Sequence, residues 1–368
     1  MNYHLLGRTG LRISPFSLGT MTFGQDWGWG SSQETAAKIF DLYVEAGGNF
    51  VDTADLYTNG TSEQYVGKFI RDRSLRDKIV LATKYTFNPQ PGNPNSGGNG
   101  RKNLFRAIEG SLKRLGTDYI DLYWLHAWDT LTPVEEAIGS LSALVQSGKV
   151  RYIGLSDCPA WYVSRAQTIA ELRGWEKIAA IQMEYSLIER SIEHEYVPMV
   201  QELGMGICTW SPLAFGFLSG KYSKGQINEG RLKAMAGSGH PQLQRILSAD
   251  RNWQIVEVLK EVSKQIGRPA AQVALNWITK RPGISATIIG ATKIEQLQAN
   301  LQSLDFEIPA EQSAKLAAAS DLPVPAPYNF YGESMRQLFS GGASIHSAPA
   351  WFFGSSTSSG VATLLRPG

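Results

Sequence analysis

Short apolar runs alternate along this chain with longer stretches in which apolar residues recur at the period of an α-helix. The short runs are rich in β-branched and aromatic residues, which predicts buried strands. We place these strands at Ser17–Met21, Asn49–Asp52, Ile79–Tyr85, Tyr119–His126, Tyr152–Asp157, Ala179–Tyr185, Gly206–Pro212 and Thr287–Gly290. The amphipathic stretches predict helices at Gln33–Ala46, Ser62–Arg71, Arg101–Leu115, Pro133–Gln146, Trp161–Leu172, Ser191–Leu203, Arg251–Ile266 and Ile294–Ser303. Strand and helix repeated in this way are typical of a parallel sheet.

Eight strand–helix repeats favour a closed barrel, because an open doubly wound sheet usually has fewer strands. The first turn after a strand also lacks the Gly-x-Gly-x-x-Gly sequence of dinucleotide-binding open sheets. We therefore predict an α/β fold of the (β/α)8 TIM-barrel class over residues 1–322, followed by a C-terminal tail over residues 323–368. Two long segments, Asn88–Gly100 and Ala214–Ala249, follow strand ends and are expected on the face where barrel enzymes hold their chemistry.

The composition narrows the class of protein. Hydrophobic residues make up 43% and charged residues 18% of the chain, enough to bury a large core and to exclude disorder of the whole chain. A net charge of +2 with scattered basic residues argues against nucleic acid or an anionic membrane as the main partner. No apolar run has the length of a signal peptide or a membrane span, so we expect a cytoplasmic protein. Cys158 and Cys208 lack metal-ligand spacing and are predicted to be reduced core residues, with no metal site.

Polar side chains lie at the ends of three consecutive predicted strands. Asp52 and Tyr57 come at and after the second strand, Lys84 lies on the third, and His126 ends the fourth. Taken singly, each has an ordinary structural role available, such as a helix cap for Asp52 or a surface charge for Lys84. A carboxylate and an ammonium group at buried strand ends must be paired, and a barrel brings neighbouring strand ends together. We therefore expect these four side chains to form one site.

This set of side chains suits the reduction of a carbonyl group. Hydride addition builds negative charge on the carbonyl oxygen, so an acid must deliver a proton as that charge develops. A phenol is a weak acid, with an ordinary pKa of about 10, and a neighbouring ammonium group lowers that value. Tyr57 is the predicted acid, Lys84 tunes it, and Asp52 holds Lys84 in place. His126 is predicted to orient the carbonyl group through a hydrogen bond.

Three segments surround these four residues. They read Asp52-Thr53-Ala54-Asp55-Leu56-Tyr57, Ala82-Thr83-Lys84 and Leu115-Gly116-Thr117-Asp118-Tyr119-Ile120-Asp121-Leu122-Tyr123-Trp124-Leu125-His126. These segments resemble the signatures of the aldo-keto reductase superfamily, and the resemblance extends in order from about residue 1 to about residue 322. The chain resembles in particular the aryl-alcohol-dehydrogenase-like reductases and the potassium-channel β subunits. The resemblance implies an NADP(H)-dependent oxidoreductase that interconverts a carbonyl compound and an alcohol.

The resemblance also implies a cofactor site, in which NADP(H) is preferred over NAD(H). The residues that match the family's cofactor contacts are Thr20, Met21, Asp52, Ser156, Asp157, Gln182, Trp210, Ser211, Pro212, Leu213, Gly216, Leu218, Gly220, Lys221, Arg231, Gly290, Thr292, Lys293, Gln296 and Asn300. Among them, Lys293 and Arg231 are expected to bind the 2′-phosphate, with Thr292 as a hydroxyl donor. Two positions depart from the family pattern: Asp157 stands where many relatives have Asn, and Ala299 where many have Glu.

Aromatic residues in the loops after the strands predict the substrate class. Rings from three loops are expected to form a cleft around Tyr57 and His126, and they belong to Trp27, Trp29, Tyr85, Phe87 and Trp128. The same loops contain no basic residue before Arg101, so a negatively charged substrate would find little pairing there. We therefore predict a bulky apolar or aromatic aldehyde or ketone as the small-molecule substrate.

Other functions stay open at this point. A cofactor-binding regulatory subunit of the channel β type would keep the same barrel and the same four residues, although we expect no regulatory extension before the first strand. The enzyme could also work as an alcohol dehydrogenase, since one tyrosine serves as acid or base by microscopic reversibility. A barrel hydrolase built on Asp52 and Asp55 is disfavoured by Lys84 beside them. The physiological substrate, the working direction and the oligomeric state are not predicted.

Overall fold

The computed structural model describes residues 1–225, 227, 232–233, 241–331 and 333–343. The chain forms two compact units. The first unit comprises Met1–Glu184, Met199–Trp210 and Arg281–Gln302. The second comprises Tyr185–Pro198, Ser211–Lys280 and the residues from Ser303 onward.

A closed barrel of eight parallel strands lies in the first unit. Its strands are β3 (Phe16–Gly19), β4 (Phe50–Asp52), β5 (Val80–Tyr85), β6 (Ile120–Leu125), β7 (Val150–Ser156), β8 (Ile178–Glu184), β9 (Gly206–Trp210) and β10 (Ile284–Ile289). Strands β3 to β9 pair in chain order, and β10 closes the barrel by pairing with both β9 and β3. The prediction of a (β/α)8 barrel is confirmed. A small antiparallel pair precedes it, formed by β1 (His4–Leu5) and β2 (Arg12–Ile13), which the apolar pattern did not predict.

Helices follow the barrel strands along the chain. In the part of the chain that the structure describes they are α1 (Gln33–Glu45), α2 (Thr61–Asp72), α3 (Arg101–Leu115), α4 (Val134–Gln146), α5 (Ala160–Arg173), α6 (Ile192–Leu203), α7 (Pro241–Ser248), α8 (Asp250–Ile266), α9 (Ala270–Thr279), α10 (Ile294–Leu301), α11 (Ala310–Ala319) and α12 (Glu333–Phe339). None of these helices combines the length and the apolarity that crossing a bilayer requires.

Boundary residues in the sequence explain where several helices start and stop. The hydroxyl of Ser32 accepts a hydrogen bond from the Thr35 N–H and caps the start of α1. Helix α3 ends at Gly116, which adopts a left-handed backbone with φ of 66° and donates its N–H to the Leu112 carbonyl. Pro133 immediately precedes α4, where its fixed backbone suits the entry to a helix.

Alternation along the strands decides which side chains point into the barrel. One buried cluster draws on six different strands and therefore lies inside the barrel. The strand members that share this inner face are Phe50, Val80, Ala82, Leu122, Trp124, Ala180, Cys208, Ala286 and Ile288. Lys84 shares the face of Ala82 on β5, so it also points inward, whereas Tyr85 lies on the opposite face. Both free cysteines are buried, as predicted.

The second unit is held partly by a buried arginine. Arg190, 4% exposed, lies just before α6 and forms a two-bond ion pair with Glu193 at 2.9 and 2.8 Å. The same guanidinium group donates to the carbonyl of Ala317 and the hydroxyl of Ser320 at the end of α11. A cation at a helix C-terminus stabilises the helix, because the last carbonyl groups lack partners within it.

Several predicted boundaries are corrected by the structure. Strand β3 ends at Gly19 instead of Met21, and β9 ends at Trp210 because Ser211 turns the backbone to a φ of 55°. Strand β10 begins at Ile284, three residues before the predicted start. The segment Ala214–Ala249 contains the turn Ala214–Ser219 and helix α7. Helices α7, α9, α11 and α12 were not predicted, and the boundary between a barrel domain and a tail at residue 322 stays a prediction.

Candidate active site

The ends of β4 and β5 hold a buried ion pair. Lys84 is fully buried, Asp52 is 2% exposed, and the Lys84 ammonium group contacts a carboxylate oxygen of Asp52. The same Nζ atom donates to the carbonyl of Thr53 at 2.9 Å and to the hydroxyl of Tyr57 at 3.1 Å. All three donors of the ammonium group are therefore used, and one of them reaches the predicted acid.

A tight turn after β4 presents Tyr57. The following residues, Thr58 and Asn59, have left-handed backbones with φ of 47° and 55°. The Thr58 hydroxyl donates to the Phe23 carbonyl at 2.7 Å and accepts from the Ser62 N–H at 3.1 Å. These bonds fix the strained turn and hold the phenol of Tyr57 beside the barrel mouth in a half-buried position.

Burial and charge oppose each other at Tyr57. Burial raises the pKa of Tyr57 above its usual 10, and the neighbouring ammonium group of Lys84 offsets only part of that rise. Lys84 therefore lowers the phenol pKa as predicted, but burial, which the sequence does not show, outweighs it and sets the net direction. At Lys84 itself, burial lowers the pKa, but Asp52 and Tyr57 outweigh it and the net pKa is raised above 10.5. Lys84 is therefore positively charged at pH 7.

His126 follows β6 and lies edge-on to the phenol. The ring centroids of His126 and Tyr57 are 5.8 Å apart, with an angle of 78° between the ring planes. Burial, reinforced by the charge of Lys84, lowers the pKa of His126 well below 6.5. The imidazole is therefore neutral at pH 7. Its Nδ1 atom is buried and has no hydrogen-bond partner among the described residues.

Polar groups at the ends of β7 and β8 extend the site. The side-chain amide of Gln182 donates to the second carboxylate oxygen of Asp52 at 3.0 Å, which fixes the amide orientation. The hydroxyl of Ser156 is buried and has no partner among the described residues. Asp157 is exposed, has a φ of 44°, and accepts a hydrogen bond from the indole N–H of Trp210 at 3.0 Å.

These groups fit the primary carboxamide of a nicotinamide ring. A carboxamide needs acceptors for its NH2 group and a donor for its oxygen. The side-chain oxygen of Gln182, which the bond to Asp52 does not use, and the carboxylate of Asp157 are acceptors. The unpartnered hydroxyl of Ser156 is a donor, and a buried polar atom without a partner in the protein suits a ligand atom.

Thr20 and Met21 occupy the turn after β3. Thr20 is fully buried, and its hydroxyl donates to the Asp52 carbonyl at 3.0 Å and accepts from the Ser62 hydroxyl at 2.8 Å. The Thr20 hydroxyl is thus engaged within the protein, where it links two strand ends, and its contact with a cofactor stays a prediction. Met21 is half-buried in the turn that follows.

The residues expected at the adenosine end lie just before α10 and along it. Thr292 donates both its N–H and its hydroxyl to the side-chain oxygen of Gln296, at 2.9 and 3.2 Å. The Thr292 hydroxyl is thus already engaged within the protein. Lys293 is exposed and, within the described part of the chain, has no ion-pair partner; Gly290 is exposed and Asn300 is buried.

The remaining residues implied by the resemblance lie in the second unit. They occupy the turn after Trp210, and they are Ser211, Pro212, Leu213, Gly216, Leu218, Gly220 and Lys221. Gly216 and Gly220 have φ of 92° and 80°, a conformation that favours glycine. Lys221 is exposed. Arg231 lies outside the described residues.

Aromatic rings form three groups at the loops of the first unit. Trp27 and Trp29 lie 5.7 Å apart in the loop after β3. Trp128 contacts Trp161 at 5.4 Å, while Phe87, 42% exposed, lies 4.8 Å from His126. Trp161, which the helical pattern places in a helix, also contributes to this surface because α5 begins in the loop after β7.

Tyr85 does not belong to this surface. Its side chain is fully buried and stacks on Tyr123 at 5.3 Å, on the outer face of the strands. The prediction that Tyr85 lines the cleft is wrong, because alternate residues of a strand point to opposite faces and Lys84 takes the inner one.

Comparisons with known proteins bear on this arrangement. The sequence model of the aldo/keto reductase family matches residues 15–321. The chain is 34% identical to a norsolorinic acid reductase of Aspergillus flavus, over 92% of this chain and 86% of that protein. It is 33% identical to an aryl-alcohol dehydrogenase [NADP(+)] of Phanerodontia chrysosporium, over 88% and 87%. It is 35% identical to a probable voltage-gated potassium channel subunit beta of Oryza sativa subsp. japonica, over 83% and 92%.

Proposed function

This chain belongs to the aldo/keto reductase family, and on that premise we propose that it interconverts an aromatic or bulky apolar carbonyl compound and its alcohol, using NADP(H). The observation that carries the proposal is the buried contact chain from Asp52 through Lys84 to the Tyr57 hydroxyl. A phenol bonded to a buried ammonium group has few structural uses, whereas it is suited to proton transfer.

When bound, the reduced nicotinamide supplies a hydride to the carbonyl carbon. Tyr57 donates its proton to the carbonyl oxygen as negative charge develops there. Because burial raises the pKa of Tyr57, the phenol stays protonated until that moment. Lys84 then stabilises the phenolate that remains, and Asp52 keeps the ammonium group charged and in place. In the reverse direction the same phenolate accepts the proton of the alcohol.

His126 is proposed to stabilise the carbonyl oxygen. A neutral imidazole donates one hydrogen bond without changing its charge, and the lowered pKa keeps His126 neutral throughout the physiological range. Phe87 and Trp128 in the loops of the same unit, together with Trp27 and Trp29, are proposed to contact the apolar part of the substrate.

The cofactor preference rests on the residues around α10. Lys293 is exposed and unpaired among the described residues, so its ammonium group is available to a 2′-phosphate. A helix N-terminus adds backbone N–H groups that favour an anion. The Phanerodontia relative is named as an NADP(+) enzyme, which agrees with this preference. Ser156, Asp157 and Gln182 are proposed to hold the nicotinamide carboxamide.

The decisive experiment replaces the proposed acid. Tyr57→Phe keeps the ring but removes the proton donor, so reduction of an aromatic aldehyde with NADPH should fall by about 100-fold to 10,000-fold. NADPH binding should remain within about twofold. The control is Tyr65→Phe, on α2 and away from Lys84, which should keep normal turnover. Near-normal turnover by Tyr57→Phe would remove Tyr57 from the proposed role.

A regulatory subunit is the second candidate, because the rice relative is named as a channel subunit. The same experiment separates the two functions. A wild-type chain that binds NADPH tightly yet reduces no member of a panel of aldehydes and ketones would favour the regulatory function.

A further inference from the structure

An exposed carboxylate lies at the end of β7, beside the buried ion pair. Asp157 has a left-handed backbone with φ of 44°, a conformation that is uncommon outside glycine and in which Asn, Asp and His are enriched among the other residues. Its N–H donates to the Gln182 carbonyl at 3.1 Å, and its side chain accepts from the Trp210 indole at 3.0 Å. Two bonds therefore hold the carboxylate at the barrel mouth, level with the end of β8.

The charges around this carboxylate do not balance. Lys84 and Asp52 form a salt bridge and neutralise each other. Tyr57 and His126 are both uncharged at pH 7, because the pKa of the phenol is raised and that of the imidazole is lowered. The carboxylate of Asp157 is left as the negative charge that the salt bridge does not offset.

Asp157 is electrostatically coupled to the reacting groups. Its charge contributes to raising the pKa of Tyr57, and the charge of Lys84 partly lowers the pKa of Asp157. A nicotinamide that exchanges hydride with a carbonyl group at the Tyr57 hydroxyl must lie at the same barrel mouth, close to Tyr57 and Asp157. Its ring carries one positive charge when oxidised and none when reduced.

We propose that Asp157 makes the site distinguish the two oxidation states of the nicotinamide, binding the oxidised form more tightly than the reduced form. This inference rests on the proposed function. The overall exchange balances as carbonyl compound, NADPH and one proton giving alcohol and NADP+. Because the carboxylate favours NADP+, it makes bound NADPH a stronger hydride donor and biases the enzyme-bound equilibrium toward the alcohol.

The size of the effect follows from one added charge pair. A carboxylate beside a unit positive charge in a partly solvated recess changes a binding constant by about tenfold. For a two-electron couple, tenfold corresponds to about 30 mV in the reduction potential of the bound cofactor. The comparable neutral side chain, asparagine, still offers an oxygen to the Trp210 indole, so the substitution removes charge and leaves the acceptor.

The test compares dissociation constants for NADP+ and NADPH, measured by calorimetry on wild type and on Asp157→Asn. The ratio of the NADP+ constant to the NADPH constant should rise about tenfold in the variant. The control is Asp118→Asn, an exposed carboxylate before the opposite end of β6, which should leave the ratio unchanged. An unchanged ratio in Asp157→Asn, with both nucleotides bound, overturns this inference and leaves the proposed function standing. A wild-type chain that binds neither nucleotide overturns the proposed function itself.

A second measurement needs no variant. Desolvation of the carboxylate raises the pKa of Asp157 to about 6, although the Trp210 hydrogen bond and the charge of Lys84 offset part of the rise. The wild-type ratio should therefore rise as the pH falls from 7.5 to 5.5. Titration of the 2′-phosphate cancels, since both nucleotides carry it. The other groups that interact with Asp157 are Lys84, Tyr57, Cys158 and Trp210, and none of them gains or loses charge in this interval. A ratio that is flat over this interval contradicts the inference even if Asp157→Asn fails to fold.

Discussion

Burying the ammonium group of Lys84 is tolerable because three oxygen atoms accept its hydrogen bonds. The carboxylate of Asp52 supplies the opposite charge, and the Thr53 carbonyl and the Tyr57 hydroxyl satisfy the remaining donors. An unpaired buried charge of this kind destabilises a protein by about 3–5 kcal/mol. The stability of the barrel therefore depends on the same hydrogen bonds that form the proposed proton-transfer site.

Asp55, unlike Lys84, is a buried charged group whose hydrogen bonds are incomplete. It is 9% exposed, and one of its oxygens has no partner among the described residues. Burial, with the nearby charge of Glu63, raises its pKa to about 7, although Arg114 and Arg106 offset part of the rise. The folded state therefore binds the proton more tightly than the unfolded state does.

The sign of the resulting pH dependence follows directly. Between the unfolded pKa of 3.8 and the folded value of about 7, the native chain binds more protons, so Asp55 makes stability fall as the pH rises through this window. Asp55→Asn removes the titration and should raise the free energy of unfolding at pH 8 by about 1–3 kcal/mol. At pH 4 the gain should be near zero. Urea unfolding at both pH values measures this.

The matched control is Asp72→Asn, which removes an exposed carboxylate paired with Lys68. Its effect should stay within about 0.5 kcal/mol at either pH. Equal effects of Asp55→Asn at pH 4 and pH 8 would show that a packing change, and not the buried charge, is responsible.

At the residue scale, the sequence predicts which side chains meet at the strand ends. It does not predict a property that depends on burial, such as a net pKa. Asp52, Lys84 and Tyr57 could be grouped because parallel strands end at the same side of a barrel. The net pKa of Tyr57 could not be predicted, since it depends on how closely other atoms surround the phenol. The bond from Trp210 to Asp157 joins residues far apart in the chain and has no local signal.

At the scale of elements, periodicity identified every barrel strand but not every helix. Helix α9 was missed because all but one of its residues are buried, so the apolar pattern has no exposed face to mark a helical period. Tyr85 was misassigned although the alternation along β5 already separates its face from that of Lys84. The apolar pattern therefore does not mark α9, whereas the alternation along β5 is enough to place Tyr85 on the outer face.

Packing between strands β6 and β7 gives a prediction at this scale. A methyl group at Gly154 would lie 2.3 Å from the ring of Trp124 inside the barrel. Gly154→Ala should therefore destabilise the chain by about 1–3 kcal/mol through overpacking. The control is Gly10→Ala, where a methyl group would meet nothing within 4 Å, and its effect should stay near zero. The urea midpoints of the two variants are the measurement, and equal midpoints would contradict this account of the barrel interior.

At the scale of the whole molecule, the candidate site is a product of barrel closure. Asp52, Lys84, His126, Asp157 and Trp210 come from five strand ends spread along most of the first unit, and no two of them are near in the sequence. Only a closed ring of strands brings them to one mouth. The fold class could therefore be predicted from repetition alone, while the inner contacts of the site needed the folded chain.

Cofactor binding should appear as a change in the stability of the whole molecule. A ligand present at 100 times its dissociation constant raises the free energy of unfolding by about 2.7 kcal/mol. Lys293→Ala removes the exposed cation at the start of α10, and the loss of a charge-assisted bond to the 2′-phosphate should weaken NADPH binding by about tenfold. At the same NADPH concentration the stabilisation should then fall by about 1.3 kcal/mol. Stabilisation by NADH, which lacks the 2′-phosphate, should not change.

Thermal unfolding with each nucleotide measures both effects. The control for a general loss of charge is Lys78→Ala, at an exposed lysine before β5. Should Lys293→Ala weaken NADPH and NADH alike, the residue supports the loop and does not select the phosphate.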